Sequence, residues 1–311
     1  MAKYILKRVG YSIVTLFVLI TITFFLMQLL PGDPFTGEKK IPDNVMANMM
    51  AKYGLDKPVW QQYLIYMGNV LQGDLGISLT YNRSINAMIS ESFFVSAELG
   101  LRAIVFALIF GVFLGTLAAL NRGKVWDSLT MFIAIVGVSV PSFVMAALLQ
   151  YFCGLKLYQA TNLHIFAISG WGAFNQKLLP VFALGLGTLA SISRLTRTSM
   201  LDVLGQDYIK TAKAKGLSQP VIILKHALRN AIMPVVTILG PTIAGLMTGS
   251  FVVESVFSIP GLGRYFVQSV QNLDYTMISG STIFYGAFLI LMNLVVDIAY
   301  CFIDPRVKLE D

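Results

Sequence analysis

Charge and cysteine are scarce in this sequence. Of its 311 residues only 13% are Asp, Glu, Lys or Arg, whereas 56% are hydrophobic, and the mean hydropathy is +0.72. A chain of this length is long enough for two soluble domains, but this composition argues against them. The two cysteines, Cys153 and Cys301, lie in or beside apolar runs, and no Cys or His spacing suits a metal. A structural disulfide is disfavoured, and no metal site is predicted.

The motifs of common enzymes are also missing. The sequence contains no G-x-x-x-x-G-K-[ST], G-x-S-x-G or H-E-x-x-H. Ionisable residues are nearly absent from the apolar runs, and Glu254 and Asp297 stand near the ends of two of them. Each is either an ion-coupling group or a helix-end residue in contact with water. The chain is therefore interpreted as a non-enzymatic pathway that another protein powers. An ion-driven carrier and a membrane-embedded enzyme are the alternatives.

What the sequence has instead is long apolar runs. About 20 apolar residues in a helix cross the ~30 Å hydrocarbon core of a bilayer. The runs cover 9–30, 103–120, 128–155, 178–193, 231–253 and 277–303. They predict an all-α polytopic membrane protein with six transmembrane helices. The first run follows Lys3, Lys7 and Arg8 like a signal peptide, but it is too long for one and no cleavage site follows, so we expect an uncleaved span.

These runs divide the chain into an N-terminal segment with the first span (1–30), an external loop (31–98), a membrane domain (99–303) and a tail (304–311). In the loop, a helix is expected from Pro58 to a stop at Gly73. Its apolar residues recur at helical spacing: Trp60, Tyr63, Leu64, Met67, Val70 and Leu71. Such a helix suits a small cap packed on the membrane domain better than a separate binding domain.

The net charge of +7 would suggest nucleic acid as a partner of a soluble protein. In a membrane protein, Lys and Arg instead accumulate in cytoplasmic loops. With six spans and the N-terminus inside, 14 of the 23 basic residues fall on the inner side. Both termini and the segment 194–230 are therefore predicted to be cytoplasmic.

The segment 194–230 has its own folding signals. A helix is expected over 206–215, and Gly216 suits the left-handed residue that stops it. Ser218 can cap a second helix, with Pro220 in its first turn. Such order suggests a docking surface, whereas the alternative is a solvated basic loop beside acidic lipids. The candidate docking residues are Tyr208, Lys210, Thr211, Ala212, Lys213, Ala214, Lys215, Gly216, Leu217 and Ser218.

Interrupted or short spans indicate a candidate translocation path. Pro141 breaks the third run between Ser139 and Ser142, and the short fourth run holds Gly185 and Gly187. A simple packing kink is the alternative at Pro141. Two G-x-x-x-G patterns, at 111–115 and 245–249, are typical of close helix packing, and the alternative is that glycine is simply frequent in membrane helices.

The basic segment resembles the cytoplasmic loop of bacterial ABC importer permeases, with its pattern E-A-A, three residues, G, nine residues, I-x-L-P. Lys210-Thr211-Ala212 stands in place of E-A-A, and Gly216 and Leu228 match. His226 and Arg229 replace the isoleucine and proline, as in the oligopeptide/dipeptide branch. Further motifs of that branch occur in order: Leu30-Pro-Gly-Asp-Pro34, Gly73-Asp-Leu-Gly76, Ala214-Lys-Gly-Leu-Ser218, His226-Ala-Leu-Arg-Asn-Ala231 with Pro234, Glu254-Ser-Val-Phe-Ser-Ile-Pro-Gly-Leu-Gly263 and Asp304-Pro-Arg306.

The resemblance is to the B-type subunit of these peptide permeases, and it implies a type I importer fold in a bacterial cytoplasmic membrane. It also implies a homologous second permease, two cytoplasmic ATPases and an external substrate-binding lipoprotein. Peptides would be the substrate, or nickel or glutathione as in other members of the family. ATP and Mg²⁺ would be bound by the ATPases and no cofactor by this chain. The helix before Gly216 would be the coupling helix.

Overall fold

The computed structural model describes residues 2–29 and 57–303, except for the side chains of 2–5, 297 and 299–303. The motifs at 30–34 and 304–306 and the side chains of Asp297 and Cys301 therefore lie outside the described residues. The described helices are α1 (Ala2–Leu29), α2 (Val59–Leu71), α3 (Ile85–Leu120), α4 (Val125–Ser139), α5 (Ser142–Thr161), α6 (Phe174–Leu204), α7 (Asp207–Ala214), α8 (219–231), α9 (Met233–Met247), α10 (Phe251–Val256), α11 (Leu262–Gln271) and α12 (Tyr275–Ile303). Helices α5 and α8 contain π-helical turns, at Gln150–Lys156 and Ile222–Leu228.

Five segments are long and apolar enough to cross a membrane: Leu6–Leu29, Ile85–Leu120, Phe174–Leu204, Met233–Val256 and Tyr275–Val296. The pair α4 and α5, bent by 106° at Pro141, supplies the sixth. This pair crosses the membrane once, because its two ends contact opposite ends of α6. Asp127 at the start of α4 binds Arg197, near the end of α6, whereas Ala146 of α5 packs with Ala183, near the start of α6. The prediction of six spans and of a break at Pro141 is confirmed.

Two spans are longer than the apolar runs predicted. Helix α3 begins at Ile85 rather than near residue 103, because Ile85, Met88 and Ile89 are buried against the start of α12. Helix α6 has 31 residues, so the prediction of a short fourth span over 178–193 is wrong. In both helices, packing inside the protein keeps polar sequence helical beyond the apolar run.

Helices α3 and α6 form the centre of the domain, and two glycines bring them together. A Cβ atom on Gly111 would lie 2.9 Å from Ile192 Cγ2, and one on Gly115 would clash with the Ser193 carbonyl oxygen. The first G-x-x-x-G pattern is therefore a close helix contact. The second is not, because a Cβ on Gly245 would meet no described atom within 4 Å and Gly249 lies beyond the end of α9.

The contacts also give the direction of the first and last spans. We call the side of the membrane that carries α7 the α7 side. Helix α12 contacts Gly240 of α9 through Asn293 and therefore ends on the α7 side. Leu19 of α1 contacts Gly286 in the middle of α12, and Phe24, one turn further along α1, stacks on α2. Because α2 leads into the loop at the start of α12, α1 ends on that side and starts on the α7 side.

On the side opposite the α7 side, a buried carboxylate fixes the loop between α2 and α3 to the last span. Asp274 precedes α12 and is fully buried. It accepts hydrogen bonds from the Ser78 hydroxyl and from the backbone N–H of Thr80 at 3.0 Å and of Leu79 at 3.2 Å. The loop that follows the Gly73–Gly76 motif is thereby held against the start of α12.

The helix predicted after Pro58 is present as α2, but only part of its apolar surface is covered. Tyr63 binds the Thr21 hydroxyl of α1 at 2.8 Å, and its ring stacks on Phe25. Trp60 and Leu64 remain 61% and 59% exposed. Helix α2 therefore packs along α1 through its tyrosines and leaves part of its apolar face exposed.

Candidate docking surface and translocation path

Helix α7 folds as the local sequence predicts, with one side turned into the protein. Asp207 lies in its first turn and Lys213 in its last, which complements the helix dipole. Ile209 and Ala212, three residues apart, are 0% and 6% exposed. They pack in a cluster that also contains Ala119, Met200, Ile222, Ala227 and Ala231. This cluster fixes α7 to the ends of α3, α6 and α8.

Gly216 ends α7 in a left-handed turn. Its φ is +74°, and a Cβ there would meet no atom within 4 Å. The Gly216 N–H donates to the Lys213 carbonyl at 3.0 Å, and the Leu217 N–H to the Ala212 carbonyl at 3.3 Å. These two bonds form a Schellman motif, which favours glycine for its backbone conformation. The space around Gly216 is open, so conformation alone selects the residue.

The opposite side of α7 is exposed, and we call it the docking face: Tyr208, Lys210, Thr211, Lys213 and Ala214. Of the candidate docking residues, Ala212 alone is buried, whereas Lys215, Gly216, Leu217 and Ser218 form an exposed turn after the helix. Lys210 pairs with Asp207 at 2.9 Å, but both side chains are at least 71% exposed, so the pair contributes little stability. The docking face is therefore an exposed basic surface on a helix that is fixed by its other side.

Helix α8 completes the predicted helix–glycine–helix pattern. Ser218 precedes it without a side-chain capping bond, and Pro220 lies in its first turn. Asn230 at its end donates to the Tyr208 hydroxyl at 2.9 Å. This bond ties α8 to the docking face.

The break at Pro141 opens a cavity of about 350 Å³ between the broken span and α6. We call it the break cavity. Its lining includes three of the five predicted path residues, Pro141, Ser142 and Gly187, together with Thr188 and Ser191.

The other two predicted path residues lie outside this lining. Ser139 is exposed at the end of α4, next to the cavity. A Cβ on Gly185 would lie 2.9 Å from the Ala103 carbonyl oxygen, so this glycine faces α3.

A line of polar side chains continues from the break cavity toward the α7 side. We call it the polar stripe: Thr188, Ser191, Arg194, Thr198 and Asp202, none of them buried. Their spacing of three or four residues places them on one face of α6, over about 21 Å. A polar face is costly against lipid tails, so it faces water or protein. The periodicity is present in the sequence. It was not recognised because the fourth span was expected to end at residue 193, before Arg194, Thr198 and Asp202.

Glu254 shows why an apolar run can contain a carboxylate. It is fully buried, so the alternative of a helix end in contact with water is wrong. Its Oε1 accepts a hydrogen bond from the Ser96 hydroxyl at 2.7 Å, and the same hydroxyl accepts the Leu262 N–H at 2.7 Å. A Cβ on Gly261 would lie 2.5 Å from the carboxyl group. The carboxylate thus folds the glycine-rich loop after α10 onto α3.

These features define a class: a six-span helical permease that presents an ordered basic helix on one side of the membrane. Its fold is similar to that of the crystal structure of an amino acid ABC transporter, with a TM-score of 0.50 and 16% identity over 71% of this chain and 95% of that one. Residues 111–309 match the family of binding-protein-dependent transport system inner membrane components, and residues 1–93 match its N-terminal family model.

The chain belongs to this family and is a multi-pass protein of the cytoplasmic membrane. It is 47% identical to the dipeptide transport system permease protein DppB of Bacillus subtilis, over 100% of this chain and 99% of that protein. It is 46% identical to the oligopeptide transport system permease protein OppB of Haemophilus influenzae and 45% identical to OppB of Escherichia coli K12. Both alignments cover 99% of this chain and 100% of the relative.

Proposed function

We propose that this chain is a permease subunit of an ATP-driven ABC importer of peptides. The observation that carries the proposal is the ordered element α7–Gly216–α8 on a chain whose entire length is similar to dipeptide and oligopeptide permeases. In this function, α7 docks on a cytoplasmic ATPase. The path for the peptide runs through the break cavity and along the polar stripe, between this chain and a homologous second permease.

The proposed orientation places the α7 side in the cytoplasm. Most basic side chains of the described residues lie on that side, among them Arg122, Lys124, Lys210, Lys213 and Lys215. Such an excess is typical of cytoplasmic loops. An external binding protein would then deliver peptide to the opposite side, where Asp274 orders the loop.

The burial of Glu254 disfavours an ion-driven carrier. A coupling group must exchange its ion with a path, whereas this carboxylate is enclosed by Ser96 and the glycine-rich loop. The chain also lacks a phosphate-binding loop. We therefore assign ATP and Mg²⁺ binding to the partner ATPases and no catalysis to this subunit.

Reconstitution tests this function. In vesicles that contain both permeases, the two ATPases and the binding protein, a labelled dipeptide is expected to accumulate only with ATP, and an uncoupler is not expected to reduce uptake. Nickel and glutathione serve as competing substrates that should leave dipeptide uptake unchanged. Vesicles with this chain alone should show neither uptake nor ATP hydrolysis. Proton-driven uptake by this chain alone would instead support an ion-coupled carrier.

A further inference from the structure

A bidentate ion pair joins α4 to α6 on the α7 side. Arg197 Nε lies 2.6 Å from Asp127 Oδ1, and its terminal Nη2 lies 2.7 Å from Oδ2. The Gly123 N–H also donates to Oδ2 at 2.9 Å. The Asp127 side chain is 7% exposed and that of Arg197 is 25% exposed. Bidentate bonding of this kind fixes the angle between two groups as well as their distance.

Arg197 belongs to the part of α6 that carries α7. Only Gly205 and Gln206 separate the two helices. Met200, between Arg197 and the end of α6, is fully buried in the cluster that holds Ile209 of α7. A force applied to α7 therefore reaches Arg197 through packed helix.

Asp127 belongs to the helix that ends at the break cavity. From Asp127 in its first turn, helix α4 continues to Ser139, and its residues Gly137 and Val138 line the cavity. Thr130 and Ala134, on the same side of α4 as Asp127, are 2% and 1% exposed. The helix is thus held along its length, and its first turn is attached to α6 by the ion pair.

We propose that the Asp127–Arg197 pair is a positioning clamp, which makes α4 follow the α7-bearing end of α6 and so moves the wall of the break cavity. The proposal rests on the proposed function, because it assumes that an ATPase displaces α7. Neither residue belongs to the lining of the break cavity or to the polar stripe. Their role is to set how much of the displacement of α7 reaches Pro141.

The substitution Arg197→Lys tests the clamp. Lysine keeps the charge but lacks the planar fork, so it holds Asp127 at one point only. In the complete reconstituted importer, the number of peptides imported per ATP hydrolysed is expected to fall about fivefold, a typical size for coupling effects. ATPase binding to the complex should stay normal. The ratio is measured on assembled complexes, so changes in membrane abundance do not alter it.

Arg102→Lys is the matched control. Arg102 pairs with Glu98 at 2.8 Å on the opposite side of the membrane, where Lys177 also binds the same carboxylate. The substitution Arg102→Lys should leave the number of peptides imported per ATP hydrolysed unchanged. Asp127→Asn is a second variant, which removes the charge at the other partner, and it should also lower the ratio.

An unchanged ratio in Arg197→Lys, in an importer whose wild type couples ATP to uptake, would overturn the clamp. Failure of both clamp variants to assemble would overturn it too, because the pair would then serve folding. If the wild-type importer itself shows no ATP-coupled uptake, the proposed function is wrong, whatever the variants do. The two failures are therefore distinguishable.

Discussion

Gly216→Val is expected to abolish most peptide uptake while leaving this chain in the membrane at near-normal amounts. Gly216 has a φ of +74°, and a left-handed backbone costs a residue with a Cβ about 1–2 kcal/mol. That cost is too small to unfold six packed spans. It shifts the population of the correct turn by a factor of roughly 5–30 and weakens the Schellman bonds that set the path of the chain from α7 into α8.

The matched control is Gly205→Val, at the other end of α7. Gly205 has a φ of −78°, and the nearest atom to a Cβ there lies 3.5 Å away, so a side chain begins there in ordinary van der Waals contact and without a left-handed backbone. Membrane abundance, ATPase co-purification and uptake are measured for both variants. Gly205→Val should remain active, whereas Gly216→Val should lose ATPase recruitment, coupling or both. Full uptake in Gly216→Val would favour the solvated basic loop over a docking surface.

Ser191→Trp is expected to reduce uptake to background by obstructing the path. Ser191 lies in the lining of the break cavity and begins the exposed part of the polar stripe. An indole there occupies much of a cavity of about 350 Å³. The docking face is remote from this position, so ATPase recruitment should persist. Uptake and ATPase co-purification are measured together.

Val105→Trp is its control, at a similar depth on α3. Val105 is 46% exposed, and Ala103, two residues earlier, lies beside Gly185 of α6. This position lies outside the cavity lining, so tryptophan there should leave uptake intact. If Ser191→Trp transports normally, the path does not run along the polar stripe.

The parts of the site that sequence predicted are those with local causes. The stop at Gly216, the first turn of α8 with Pro220 and the break at Pro141 each depend on the conformational preference of one residue. Those preferences do not depend on contacts with distant segments, so the local sequence was enough to predict these three features.

The parts that sequence missed depend on contacts between distant segments. The predicted fourth span ends at Ser193, before the charged Arg194, whereas α6 continues to Leu204 through the polar residues Ser193 and Thr196. Both are buried against α3, where Gly115 admits them closely. The partners of Glu254 and of Arg197 lie far away in sequence, so no local pattern indicates them.

Site-specific photocross-linking tests the central claim most directly, because it asks whether α7 contacts an ATPase. A photoreactive residue is placed at Thr211 on the docking face of the assembled importer, and another at Thr161, an exposed position on the opposite side. The account predicts an adduct between Thr211 and an ATPase subunit, and none from Thr161. A transport-competent importer in which Thr211 yields only lipid adducts would contradict it.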